Sequence, residues 1–462
     1  MKQWRLELAK QAIFCLAAIV FFSFPPGSRA AEMPAPKAEE PAGRTGAQKE
    51  NKALSIEDAV FIALQNHPSI KAAEEQVGVQ GAVLGQQLGA YYPTVSLANS
   101  YRTANSTGGG DTIRSRESDR FLSQAQIAMT LYNFGKREGA VQSARETLDA
   151  TRYAYITTAN NIVLAAKQAY YIYLQAAALL KVREQAVKDQ ELLVRQARGF
   201  FEVGTKAKID VARAESNFYS AQADLITAQN NLKVALVTLR NALGVQDLPG
   251  EPILAGEPSA APAPISLDEA RKAAFSARPE LLQFEAQKRS QDQQIAAARR
   301  GHLPDVLFSA NYGRTGSSPS TFGSGVEVNT FPLQPTWQVQ LSLNIPIFDG
   351  FQTTNKVEQA LRSYYVVKNQ EEQQKQQVAL EVEQSYLSLV NAQGRIKATE
   401  AAENAAKENF DLANGRYQVG VGSIIEITDA ETLYTSAQTN HINALYDYKI
   451  AEAQLTKAMG NQ

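Results

Sequence analysis

The sequence predicts an α+β membrane protein. Each chain supplies four short β-strands to a barrel that sister chains complete, and long antiparallel coiled-coil helices continue that barrel. Three observations carry this reading. Landmarks of the first half recur in the second at a nearly constant offset. Each half holds a long proline-free stretch with helical and heptad spacing. Each half also holds two segments of alternating apolar and polar residues, about ten residues long, the length of a tilted strand crossing a bilayer.

The chain of 462 residues opens with a targeting pattern. Lys2, Arg5 and Lys10 form a basic region, and Ala12–Phe24 an apolar one too short to span a bilayer as a helix. Ser28-Arg29-Ala30 is a cleavage site before Ala31, so residues 1–30 read as a signal peptide. Its removal takes away the only cysteine, Cys15, and moves the formal charge from −1 to −4. Disulfides and a thiol nucleophile are thereby excluded, and the mild acidity gives no reason to expect nucleic acid. Residues 31–52 mix Pro, Ala, Gly and charge without period and read as a disordered leader.

Two structural repeats follow, 53–244 and 265–462, joined by a Pro-rich linker over 245–264. Pro68 and Pro279, Pro93 and Pro304, and Tyr101 and Tyr312 are each 211 positions apart. Gly204 and Gly420, Glu215 and Glu431, and Gly244 and Gly460 are 216 apart, which implies a small insertion in the second copy.

Residues 136–199 and 351–415 are Ala- and Gln-rich and nearly free of Gly; a helix of 64 residues would run about 96 Å. The helix after each of these carries a seven-residue alanine seam, Ala214 through Ala242 and Ala430 through Ala458. Such a seam calls for close, left-handed supercoiled packing, and His441 on it reads as a packing residue. Short helices precede the first strand of each copy. The strands are TVSLANSY, SQAQIAMTLYNF, DVLFSANY and TWQVQLSLNIPIF. Trp337, Val339, Leu341 and Leu343, with Ile127 and Met129, mark a lipid-facing side; Gln338, Gln340, Ser342 and Asn344 mark the lumen side. Long Gly/Ser-rich loops of the extracellular type, residues 104–120 and 315–335, join the strand pairs.

Four strands cannot close a barrel, and open edges in hydrocarbon leave backbone groups unpaired at several kcal/mol each. Sister chains must complete the cylinder: two would give eight strands with a filled interior, three would give twelve and a lumen. The turn motif Y/F-x-V-G-x-x-x-x-x-D/E-V/I-x-x-A occurs at Phe201–Ala214 and again at Tyr417–Ala430. With the duplication and the β-pair in each copy, it makes the chain resemble the outer-membrane efflux protein family, the TolC-like exit ducts, over essentially all of 53–461. The resemblance implies a homotrimer with a twelve-stranded barrel in outer-membrane lipid and a helical tunnel through the periplasm. It implies docking to a periplasmic adaptor and an inner-membrane pump of RND or ABC type, with no cofactor.

The twice-written motif is then the hairpin tip between each long helix and its alanine-seamed partner. Gly204, Gly420 and Gly422 lie there, where the resemblance puts adaptor contacts. Glu426 and Asp429, three apart on one helical face, match the acidic pair lining the family's periplasmic aperture. Glu426 also completes Ser423-Ile-Ile-Glu426, a capping box, so its acid has two readings. Asp210 and Tyr417 match residues that link neighbouring hairpins, while the family's basic partner on the second tip falls at Gly422.

Other classes find little support. A structural or adhesive coiled-coil trimer needs helices but not membrane strands in each copy. An exported enzyme lacks a visible site: His67, His302 and His441 are isolated, and the glycines at Gly108 lack a strand–helix context.

Overall fold

The computed structural model describes residues 54–108, 114–248, 250, 252, 265–317 and 333–460. The signal peptide, the leader, most of the linker and the central parts of both long loops lie outside them. In chain order the elements are α1 (Ile56–Asn66), α2 (Pro68–Gly89), β1 (Thr94–Gly108), β2 (Arg114–Tyr132), α3 (Lys136–Glu202) and α4 (Lys208–Leu243). The second copy gives α5 (Leu267–Ala277), α6 (Pro279–Arg299), β3 (Asp305–Ser317), β4 (Gln334–Asn344), α7 (Gln352–Gln418) and α8 (Ile424–Ala458).

The short helices come in elbowed pairs. Ser55 and Ser266 cap α1 and α5 with their side-chain oxygens. His67 and Arg278 are held extended by the prolines that follow, so each pair bends there and restarts with Pro at the first helical position. The long helices α3 and α7 have 67 residues each, about 100 Å. Near its start α3 packs against α2 and α6, and further along it packs against α4 and α8. Small residues set the upper contact: a Cβ on Gly139 would stand 2.9 Å from Ala297 Cβ, and Ser143 and Ser290 share a buried hydrogen bond of 2.9 Å.

The four long helices lie in the order α4, α3, α8, α7, so α8 is flanked on both sides while α4 is an edge. The two alanine seams therefore differ in burial. On α8, Ala430, Ala444, Ala451, Ala458, Tyr448 and Leu455 are all buried; on α4, within one chain, Ala214, Ala235 and Leu239 are, while Ala221, Leu225, Ala228, Leu232 and Ala242 are half-buried. His441 sits on the α8 seam, its Nδ1 3.3 Å from Thr399 Oγ1 of α7, a packing position.

The strands form one antiparallel sheet ordered β1-β2-β3-β4, in which β2 and β3 join the two copies. Rows across the sheet share a face. Val95, Ile127, Ala310 and Val339 make one row, and Leu97, Ala125, Tyr312 and Trp337 the next. Met129, Phe308 and Leu341 continue that face, with Val306 and Leu343 beyond. The opposite face carries Ser96, Gln126, Asn311 and Gln338, then Ser309, Gln340 and Ser342.

Several strand limits differ from the sequence expectation, β3 among them, which runs on past Tyr312 to Ser317. The β1–β2 ladder runs past Arg102–Arg120 to Gly108–Arg114, so much of the first long loop is strand. Alternation marks only strands with one oily side, and this extension lacks it. In β4 the ladder stops at Asn344 because Pro346 has no N–H to give.

Candidate functional site

Both helical hairpins turn by the same capping device. Gly204 (φ 77°) and Gly420 (φ 83°) adopt the left-handed conformation just past α3 and α7. At the first tip Gly204 N–H donates to Phe201 O (3.0 Å) and Thr205 N–H to Phe200 O (2.9 Å). At the second, Gly420 N–H donates to Tyr417 O (3.0 Å) and Val421 N–H to Arg416 O (3.1 Å). This paired pattern satisfies the last carbonyls of each helix and needs a residue tolerant of positive φ. Gly422 serves a different end: a Cβ there would lie 2.9 Å from Tyr417 N and 3.0 Å from Arg416 C, so the tip closes only around hydrogen.

A small apolar core binds the two tips of one chain. Leu193, Val194 and Ala197 of α3 and Ala214 of α4 meet Ala413, Tyr417, Ile424, Ile427 and Ala430 of α7 and α8. Tyr417 is fully buried, its ring 5.6 Å from that of Phe200 and nearly perpendicular to it. Its hydroxyl finds no hydrogen-bond partner among the described residues. Burial, and secondarily the charge of Asp210, push its phenol upward. Asp210 is thus near Tyr417 without bonding to it.

The side-chain bond between the tips comes from elsewhere. Lys206 Nζ donates to Gly422 O at 2.9 Å. Lys206 stands 216 positions before Gly422, so the two repeat-related sites meet, the cation on the first tip and a bare backbone acceptor on the second. Lys206 was not singled out from sequence; the offset relates the two positions but does not say that they bond. Asn217 adds a weaker link, 3.3 Å to Thr428 Oγ1.

Glu426 and Asp429 both lie on the exposed face of the first turns of α8. Ser423 Oγ accepts the Glu426 N–H at 3.1 Å, half of the capping box. The Glu426 carboxylate instead pairs with Arg416 Nε at 3.1 Å, across the tip. Arg416 was not singled out from sequence; as the last-turn cation facing a first-turn acid it matches both helix dipoles. Asp429 makes no ion pair or hydrogen bond among the described residues. The six residues marked for lipid, Ile127, Met129, Trp337, Val339, Leu341 and Leu343, share one face of the sheet, far along the chain from the tips.

Comparison with known proteins meets this geometry at every level. The model of the outer membrane efflux protein family matches residues 60–245 and 270–461, both copies. The chain belongs to the outer membrane efflux protein family. TolC of Vibrio cholerae is 27% identical over 406 residues, covering 86% of this chain and 89% of that protein. CyaE of Bordetella pertussis is 26% identical over 400 residues, covering 84% and 80%. The fold matches the CmeC outer membrane channel of Campylobacter jejuni with a TM-score of 0.75 at 18% identity, covering 92% of this chain and 90% of that one. As a member of the outer membrane efflux protein family the chain is an outer-membrane protein of trimeric fold. Its four strands are one third of a twelve-stranded barrel, and its helices extend into the periplasm. The sheet edges allow this closure: β1 and β4 run in opposite directions, so β4 of one chain can pair with β1 of the next antiparallel, like the pairs within the chain.

Proposed function

We propose that the protein is the outer-membrane exit duct of a tripartite efflux or type I secretion system. Substrates pass through it passively, delivered by an inner-membrane pump of RND or ABC type through a periplasmic adaptor that docks at the hairpin tips. One observation carries the reading: a sheet oily on one face and polar on the other, with two free edges, continued by hairpins whose tips are bonded to one another. The polar face suits a water-filled lumen and the free edges suit neighbours. A fibre has no use for either.

In a trimer the tips place three copies of Asp429 around one axis, and a ring of carboxylates favours cations. Glu426 contributes less, since Arg416 neutralises it. Lys206 and Gly422 hold the two tips of each chain in the closed arrangement, in place of a side chain at position 422.

Trimers in planar bilayers are expected to give discrete, cation-selective conductance steps. Lys206→Ala removes a charge-assisted bond worth about 1 kcal/mol at a half-exposed site, so the mean current should rise about fivefold. Heat-modifiable trimers that never conduct, with or without that substitution, would overturn the duct.

A further inference from the structure

Two turns into α8 the second hairpin buries an acid against the first. Glu431 is 3% exposed and Gln190 of α3 is 7% exposed. The Gln190 amide nitrogen donates to the Glu431 carboxyl, and its amide oxygen has no partner among the described residues. No lysine or arginine pairs with Glu431 among the described residues. From α3 it faces Asp189, itself held by Gln185 and next to Lys188. Asp411 and Glu403 of α7 act on Tyr434, one turn along α8.

The repeat makes the arrangement informative. Glu215 is the first copy's counterpart of Glu431; it is 37% exposed and paired with Arg198. The second copy has Asn414 where the first has Arg198. So one copy keeps its acid wet and paired, while the other has lost the cation and buried the acid in the seam between hairpins. An ionised carboxylate there would be buried with no cation beside it among the described residues.

We propose that Glu431 is a proton-operated latch. Protonated, it lets α3 and α8 close on one another through Gln190; ionised, it forces that seam to take in water and the hairpins to part. As a control on the mouth this rests on the duct reading; as a property of the seam it does not. Burial first, and the charge of Asp189 second, push the Glu431 carboxyl up to about 8. The parted state returns it to the ordinary carboxylate range. Between those limits the closed seam holds a proton that the parted seam releases, so rising pH favours parting and falling pH favours closure. Below the ordinary range both states are protonated and the effect vanishes; above about 8 it levels off.

The test uses intact trimers of wild type and Glu431→Gln, which keeps shape and hydrogen bonding without the charge. Amide hydrogen exchange is followed over 186–198 and 424–436 between about pH 6 and pH 8 and normalised to intrinsic rates. In wild type the opening of these segments should rise by up to ~10-fold per pH unit. In Glu431→Gln it should stay low and flat. Bilayer current recorded alongside should follow the same two patterns. Flat exchange in wild type, or equal pH dependence in both proteins, would overturn the latch. Exchange behaving as expected with no current at any pH would leave the latch standing and remove the duct.

Discussion

Replacing Arg278 with methionine is expected to destabilise the protein by about 3–5 kcal/mol, the range for breaking a buried ion pair from one side. Arg278 stands at the elbow between α5 and α6, with its side chain only 2% exposed. Its guanidinium meets Glu280 at 3.0 Å and Glu381 of α7 at 2.7 Å, and Lys457 of α8 approaches Glu381 at 3.8 Å. Removing the cation leaves two carboxylates crowded under a helix elbow. Arg271 is the internal comparison: it pairs with Glu383 at an equally short 2.7 Å, but both side chains are more than a third exposed. Arg271→Met should therefore cost under about 1 kcal/mol, as solvent-screened pairs do. Thermal dissociation of the trimer reads both, and equal losses would show that burial does not govern these pairs.

Gly244→Ala should cost about 2–4 kcal/mol, combining a left-handed residue with overpacking against backbone. Gly244 ends α4 at φ 67°, and a Cβ there would stand 2.7 Å from His67 Cα, at the elbow of α1 and α2. Gly460 repeats this in the second copy: φ 82°, with a Cβ 2.9 Å from Ala277 C at the elbow of α5 and α6. Each long hairpin thus ends by nesting on the bend of its own short-helix pair. Gly204 at the first tip has similar φ but open space around it, so Gly204→Ala should cost only about 1 kcal/mol. Matching losses in urea or heat titrations of the two variants would mean that the nest contributes nothing.

The helices, the strand faces and the duplication were readable because each is a local or periodic feature. The span predicted at 136–199 is observed at Lys136–Glu202, and the one at 351–415 at Gln352–Gln418, since nothing within them breaks a helix. The alternation in TWQVQLSLN placed Trp337, Val339, Leu341 and Leu343 on one face, as period two requires. The hairpin tips were legible from V-G and from the repeat. Their bonds were not: Tyr417 is a buried packing residue rather than a hydrogen-bonded one, Glu426 is claimed by Arg416, and Lys206 supplies the tie that position 422 cannot. These depend on which rotamers two separate hairpins can bring within about 3 Å, and no spacing along one chain encodes that.

By itself the sequence determined the two copies, the kinds of element in each, and the need for sister chains, because periodicity and unpaired backbone are properties of a segment. Only the tertiary structure decided which alanine-seamed helix is flanked within the chain and which is at its edge. Two seams of the same alanine spacing became a buried one on α8 and a half-open one on α4, and two equivalent glutamates became a paired Glu215 and a buried Glu431. Equal text in unequal surroundings acquires unequal chemistry, since burial and neighbouring charge come from packing, not from spacing.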